Sequence, residues 1–446
     1  MLGRFVVRQE AFGGIIHDTE HFCFYAVDDE GIKIIQEISV SGLDEARKRY
    51  ANDHEVLSYI NNLESIGFNS AVYSELKVKH NPTVSNSLTA PVKAYLTVTD
   101  RCNLRCKHCF GAFGVGNEMS LQQVEYVLDQ LEEAGVCEIG LTGGEPFYHP
   151  EIYTIITMIV ERGFTLQTTT NGTLINQEFI DTFQKYGKKC FRLSLSFGGI
   201  PELHDSIRGR GSFEKAMSSA RLLKKNGIEF AFNTVINARN IKSLNEFLQI
   251  MFDEGIYSGS FNIIQPVGRA KNNAELLFSR EPSVMCQQVQ FVKNCIHRFA
   301  EMTGKSQYMY GLSIQPDGSE TYGDMGFLAE IGLKGCAAGA NIVTICSDGR
   351  LLPCIFIEEF LCEEGMEFES IFDKPLLEIW DTSKPFTYMR NRDVDNQCKK
   401  CEFYQKQCTS VCPAMSTYYY ENSSTPMPYC QHNISRYLNK QPDIER

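Results

Sequence analysis

No apolar run in this 446-residue sequence approaches the ~20 residues that a helix needs to cross a bilayer. The first ten residues carry Arg4, Arg8 and Glu10 where a secretory signal would need an apolar stretch. Neither a membrane span nor an export signal is therefore expected, and the chain reads as cytoplasmic. Internal repeats and extended low-complexity stretches are missing as well. So is a surplus of basic residues: the net charge is −12 at pH 7, and a general nucleic-acid binder is not expected. A disordered or fibrous chain is excluded by composition, since 43% of the residues are hydrophobic, enough over this length for two or three domains with a sizeable core.

What the chain does have is cysteine, seventeen in all. In a reducing compartment disulfides are not expected, so metal binding is the better account of the cysteines that cluster. Cys102, Cys106 and Cys109 stand at Cys-x3-Cys-x2-Cys spacing. Three thiolates so spaced can hold three irons of a [4Fe-4S] cubane and leave the fourth open to a ligand, whereas a fully cysteine-ligated cluster mostly transfers electrons. A zinc knuckle short of one ligand, or three unrelated thiols, are the plainer alternatives.

Around this triplet, strand-like and helix-like patterns alternate. Strands are expected at Lys93–Thr99, Glu138–Thr142, Phe164–Thr170, Cys190–Phe197, Glu229–Val235 and Ser260–Pro266. Helical spacing marks Ser120–Ala134, with a capping box of Ser120 and Gln123, then Glu151–Arg162, Gln177–Tyr186, Phe213–Lys225 and Leu244–Glu254. Six such βα units can form a parallel, curved sheet covered by helices. Its chemistry belongs on loops at the C-terminal strand ends, and the triplet follows the first strand. Before this region, short β-like runs at Arg4–Val7, Gly14–His17 and Phe22–Ala26 precede helical patterns at Leu43–Ala51 and His54–Ser65. After it, helical periodicity thins and cysteines, glycines and aromatics crowd together, as in a small domain whose core is partly replaced by metal. His80–Pro91 has linker composition.

The triplet resembles the signature of radical S-adenosylmethionine (SAM) enzymes, and motifs downstream match the same family. Gly143-Gly144-Glu145-Pro146 resembles the family's site for the methionine amino group. Asn171 ends the third strand, and Ser194 and Ser196 end the fourth, where family members often have Ser-x-Asp-Gly and this chain has no Asp. His204-Asp205-Ser206-Ile207-Arg208-Gly209 resembles His-Asp-x-x-Arg-Gly, in which the arginine pairs with the SAM carboxylate.

A second series runs Cys336, x12, Gly349, x4, Cys354, then Cys398, Cys401, Cys408, Cys412 and Cys430. It resembles the SPASM domain, which carries two auxiliary [4Fe-4S] clusters; the six residues between Cys401 and Cys408 are one more than usual. By motif position, Cys398, Cys401, Cys408 and Cys430 belong to an outer auxiliary cluster and Cys336, Cys354 and Cys412 to an inner one. Zinc ribbons share such pairs. The inner set is one ligand short, and Cys346 is either its fourth member or a buried packing residue. Cys23, Cys137, Cys190, Cys286, Cys295 and Cys362 read as packing residues.

The resemblance implies an α/β chain: a partial (β/α)6 TIM barrel at 86–309, a small winged-helix-like α+β recognition domain at 1–85, and a cysteine-rich SPASM domain at 310–446. It implies SAM and three [4Fe-4S] clusters as cofactors. Its expected partners are a ribosomally made precursor peptide, gripped by strand addition at the N-terminal domain, and a flavodoxin or ferredoxin-type electron donor. Thioether crosslinking, as in sactipeptide and ranthipeptide synthases, is the expected activity. Carbon–carbon crosslinking, sulfatase maturation to formylglycine, and a non-catalytic iron–sulfur scaffold are the alternatives.

Overall fold

The structure is a computed structural model, described for residues 4–69, 73–76, 87–111, 113–186, 191–309, 312–322, 333, 336–393, 395–402, 412–427 and 430. The expected boundary near residue 85, Cys190 and Cys408 lie outside the described residues.

The chain begins with a four-stranded sheet in the order β3-β2-β1-β4, built from β1 (Phe5–Glu10), β2 (Gly13–Asp18), β3 (Cys23–Val27) and β4 (Tyr73–Leu76). Helices α1 (Asp29–Ser41), α2 (Leu43–Arg49) and α3 (His54–Ser65) lie between β3 and β4. The last two match the sequence reading, whereas α1 was not expected. Its Ile32, Ile34, Ile35 and Ile38 are β-branched and weakly helical by propensity. Packing decides: Ile35 and Ile38 are fully buried in one apolar cluster with Phe5, Ile60 and Leu63. Asp28 caps the helix by accepting from the Gly31 amide at 2.7 Å.

Six strands then run parallel in chain order: β5 (Lys93–Thr97), β6 (Glu138–Thr142), β7 (Thr165–Thr170), β8 (Phe191–Phe197), β9 (Ala231–Ile236) and β10 (Gly259–Ile263). Between them lie α4 (Leu121–Glu133), α5 (Ile152–Glu161), α6 (Gln177–Tyr186), α7 (Pro201–Arg208), α8 (Ser212–Lys225) and α9 (Leu244–Asp253). The expected capping box starts α4, with Ser120 N donating to Gln123 Oε1 at 2.9 Å. Along β8, Leu193, Leu195 and Phe197 enter the helix-covered core while Ser194 and Ser196 take the other face. Through the register this concave face gathers Thr169, Ser194, Ser196, Asn233 and Ser260, so the inside of the partial barrel is polar.

The sheet runs on past residue 310. After α10 (Pro282–Thr303), β11 (Gln307–Met309) pairs with β10, and β12 (Leu312–Ile314) and β13 (Glu320–Tyr322) extend that edge. On the opposite edge β14 (Ile342–Ile345) pairs parallel with β5 and antiparallel with β15 (Leu351–Leu352). The cysteine-rich region is more helical than its sequence suggests: α11 (Glu358–Glu363), α12 (Leu376–Thr382), α13 (Lys384–Asn391), α14 (Asn396–Lys399) and α15 (Pro413–Tyr420) are each too short to display a clear period. They have an apolar core of their own, with Ile357, Phe360, Leu361 and Met389 buried.

The N-terminal sheet docks where the barrel strands begin. Arg8, fully buried, pairs with Glu10 at 2.5 Å and donates to the carbonyls of Ala90, Pro91 and Gly135. His17 meets Thr165 Oγ1, at the start of β7, at 3.1 Å. Among the described residues no helix is long and apolar enough to cross a membrane.

Candidate active site

Cys102, Cys106 and Cys109 lie on the loop that leaves β5, at the C-terminal end of the barrel, each partly buried. Burial pushes the Cys102 thiol up to about 11 against a hydrogen bond from Leu104 N, and Glu145, Cys106 and Cys109 add to the rise. The three thiols therefore lie within electrostatic reach of one another. Cys106 is raised by burial too, with Arg208 and Arg269 opposing. Cys102 and Cys106, whose protonated forms burial favours, must lose those protons to bind a metal. Among the described residues no three His, Cys, Asp or Glu side chains close on one point as ligands of a single ion. A four-iron cube spreads its thiolates wider than the roughly 3.8 Å between two on one tetrahedral zinc.

The turn after β6 is knitted into this loop. Gly144 N donates to Thr99 O at 2.8 Å and Glu145 N to Arg101 O at 2.9 Å. A Cβ on Gly143, where φ is +146°, would stand 2.4 Å from Thr99 O, and one on Gly144 2.3 Å from Arg101 O. Only glycine permits so close an approach. Glu145 is 1% exposed and accepts from Phe147 N, Thr170 Oγ1 and Asn171 N. Burial raises its pKa, with those three donors opposing. Asn171 engages both ends of its amide, Nδ2 to Asn103 Oδ1 at 2.9 Å and Oδ1 from Thr173 N and Oγ1. Ser194 and Ser196 lie on the polar concave face one strand further on.

The segment His204–Gly209, taken from sequence as a SAM contact, is the last turns of α7, and its residues divide the work. Asp205 accepts from Gly211 N and Phe213 N, fixing the start of α8. His204 Nδ1 accepts from Gly198 N at 3.1 Å, and burial, helped by Arg208, drives its pKa down to about 3. Arg208 is 7% exposed, and its Nε is buried without a hydrogen-bond partner among the described residues. This guanidinium lies within electrostatic reach of Cys106 and Glu145, and a buried nitrogen of that kind has the chemistry to pair with an anion.

Sequence reasoning missed Arg269, just past β10. It donates from Nε to Cys106 O at 2.8 Å and from Nη1 to Phe113 O at 2.6 Å. Its position at a strand's C-terminal end was the available signal.

In the C-terminal region Cys336, Cys354 and Cys412 flank one apolar cluster. Burial pushes Cys354 up, with Cys336 and Cys412 adding to it, and pushes Cys412 up to about 12, with Cys336 adding to it. Cys346 has other neighbours. Burial drives it to about 12, and the charges around it are Glu358, Arg350, Asp348 and Asp100. Of the outer set, Cys398 lies in α14, Cys401 follows it, and Cys430 is within electrostatic reach of Cys286 of α10.

Residues 96–251 match the Radical SAM superfamily. The chain is a radical SAM superfamily enzyme. Residues 336–402 match SPASM, an iron–sulfur cluster-binding domain, so this radical SAM enzyme takes SAM and iron–sulfur clusters. The AdoMet-dependent heme synthase of Methanosarcina barkeri is 24% identical over 347 residues, covering 75% of this chain and 94% of that protein. The antilisterial bacteriocin subtilosin biosynthesis protein AlbA of Bacillus subtilis is 26% identical over 312 residues, 68% of this chain and 64% of AlbA. Streptococcus suis SuiB, in its crystal structure with precursor peptide SuiA, has the same fold: the TM-score is 0.71 over 96% of this chain and 98% of SuiB, at 17% identity.

Proposed function

We propose that this radical SAM enzyme matures a ribosomally made peptide by closing thioether bridges from a substrate cysteine to an acceptor carbon. Cys102, Cys106 and Cys109 would hold the SAM-cleaving cluster; three thiols on one loop, within electrostatic reach of a guanidinium whose Nε has no partner among the described residues, suit that group. Arg208 would take the SAM carboxylate, the Gly143–Glu145 turn the amino group, and Asn171, Ser194 and Ser196 would border the remainder. When bound, cluster and SAM would supply the one-electron chemistry that takes hydrogen from an unactivated carbon, and an auxiliary cluster would accept the surplus electron as the bridge closes and the thiol proton leaves. The chain's own part is to orient: Arg208 fixes SAM by a charge-assisted fork, Glu145 holds two strand ends together behind it, and the polar concave face receives the peptide.

The observation that carries the thioether reading is the packing of Cys336, Cys354 and Cys412, without Cys346, against one apolar cluster. An inner auxiliary cluster held by these three is one thiol short, the count at which a substrate thiol serves as fourth ligand. Cys398, Cys401, Cys408 and Cys430 would complete an outer cluster, making three in all. Residues 1–85 would grip the leader, 86–309 form the radical barrel and 310–446 the auxiliary domain, with a flavodoxin or ferredoxin-type protein as donor. AlbA, named for subtilosin biosynthesis, and the precursor-bound state of SuiB support a peptide substrate.

Co-expression with a precursor peptide encoded nearby, followed by mass spectrometry, tests this. Each bridge should remove two hydrogens and one alkylatable thiol. Loss of hydrogens with every thiol retained would replace thioether by carbon–carbon crosslinking.

A further inference from the structure

The cysteine loop between β5 and α4 has no regular secondary structure through Cys102–Cys109, so its carbonyls need partners from elsewhere. Four of them find one in a single short segment. Arg269 N donates to Cys109 O at 2.9 Å, Arg269 Nε to Cys106 O at 2.8 Å, and Arg269 Nη1 to Phe113 O at 2.6 Å. Asn273 Nδ2 donates to Lys107 O at 3.2 Å and back to Arg269 O at 2.7 Å. Gly268, with φ +55°, brings the segment in so tightly that a Cβ there would stand 2.0 Å from Phe110 O. The far side of the segment is tied to α11 by Lys271, whose Nζ lies 2.5 Å from Glu359 and 3.2 Å from Glu363.

We infer that residues 268–273 are a strap that sets the conformation of the cysteine loop before any cluster is present, with Arg269 as its positioning residue. Turning four carbonyls toward the strap fixes the intervening peptide planes, and with them the directions in which Cys106 and Cys109 project. A thiol set held in this way meets iron preorganised instead of being ordered by it. The strap is thus a determinant of the SAM-binding cluster supplied by the segment that follows the sixth strand, far in sequence from the cysteines. This rests on the reading that the Cys102–Cys109 loop holds that cluster.

The test uses the full metal-free chain. In Arg269→Ala, amide hydrogen exchange of peptides covering 103–113 should rise roughly tenfold or more, while peptides from β8 stay as in the parent. Arg269→Lys, which keeps charge but loses the fork, should fall between. Asn273→Ala, the milder variant, removes the contacts with Lys107 and Arg269 and should raise exchange about threefold. After anaerobic reconstitution, Arg269→Ala should carry about four irons fewer per chain and lose the SAM-induced change in its electron paramagnetic resonance spectrum. Arg269→Lys should recover part of both. Unchanged exchange of 103–113 in both Arg269→Ala and Asn273→Ala would overturn the strap. Raised exchange, with SAM cleavage surviving removal of all three loop cysteines, would leave the strap standing and sink the cluster assignment instead.

Discussion

Glu145 accepts a hydrogen bond from the backbone amide of Asn171 at 2.7 Å, joining the ends of the second and third barrel strands through a buried carboxylate. Its other oxygen accepts from Thr170 Oγ1 at 2.6 Å and Phe147 N at 3.2 Å. Glu145→Gln sets an amide N–H against one of these donors. The expected cost is about 1–3 kcal/mol in unfolding free energy, together with weaker SAM binding. Urea unfolding and SAM titration measure the two effects.

Changing Cys102, Cys106 and Cys109 together to Ala should remove about four irons per chain and abolish SAM cleavage while leaving the auxiliary iron in place. Iron analysis and quantitation of 5′-deoxyadenosine check this. SAM cleavage surviving in the variant would refute the site.

Arg208→Ala should weaken SAM binding by about 1.5–3 kcal/mol, the worth of a charge-assisted hydrogen bond, and peptide binding much less. Arg208→Lys should recover little, because an ammonium lacks the planar fork. Equal losses for SAM and peptide would point to a general disruption of α7.

Stability should fall with acid through His204. Its folded pKa, about 3, lies below the unfolded value near 6.5, so the unfolded chain binds this proton more readily. The contribution is fully present above pH ~6.5 and is lost progressively as pH falls toward 3. His204→Gln keeps an acceptor for Gly198 N and does not titrate, so the slope of unfolding free energy against pH should flatten there by about one proton. An unaltered slope in this variant would contradict the burial of a neutral ring.

Cys346→Ala should leave the auxiliary iron content and the crosslinking activity intact, since the charges near Cys346 are Glu358, Arg350, Asp348 and Asp100 and not the inner thiols. Loss of the inner cluster would make Cys346 its fourth ligand. Carbon–carbon crosslinking would then stand level with thioether formation.

The sequence made the barrel legible because its signals are local. β6 and α6 fall at their expected limits, and the capping box of α4 joins neighbours three residues apart. What escaped depends on distant partners. Helix α1 owes its form to burial against Phe5 and Leu63 in spite of β-branched isoleucines. Helix α7 hid inside a motif read for chemistry, although Pro201 at its first turn marks a start. The glycines of the β6 turn were assigned to a ligand, whereas they also admit the backbone of Thr99 and Arg101. Arg269 belongs to no cysteine motif; only the fold brings it to Cys106, 163 residues away.

Under the proposed leader grip, the docking of the N-terminal sheet at the strand starts sets a minimum length for the peptide beyond it. The six-residue β7, which begins at Thr165 beside His17 and ends beside Glu145, is about 20 Å long. An extended chain held at one end of the barrel needs at least about six residues to reach the other. Side chains nearer than that to the gripped segment stay out of reach of the chemistry. On the proposed leader grip, a spacer shortened below about six residues should therefore abolish modification, whereas a lengthened spacer should leave it intact.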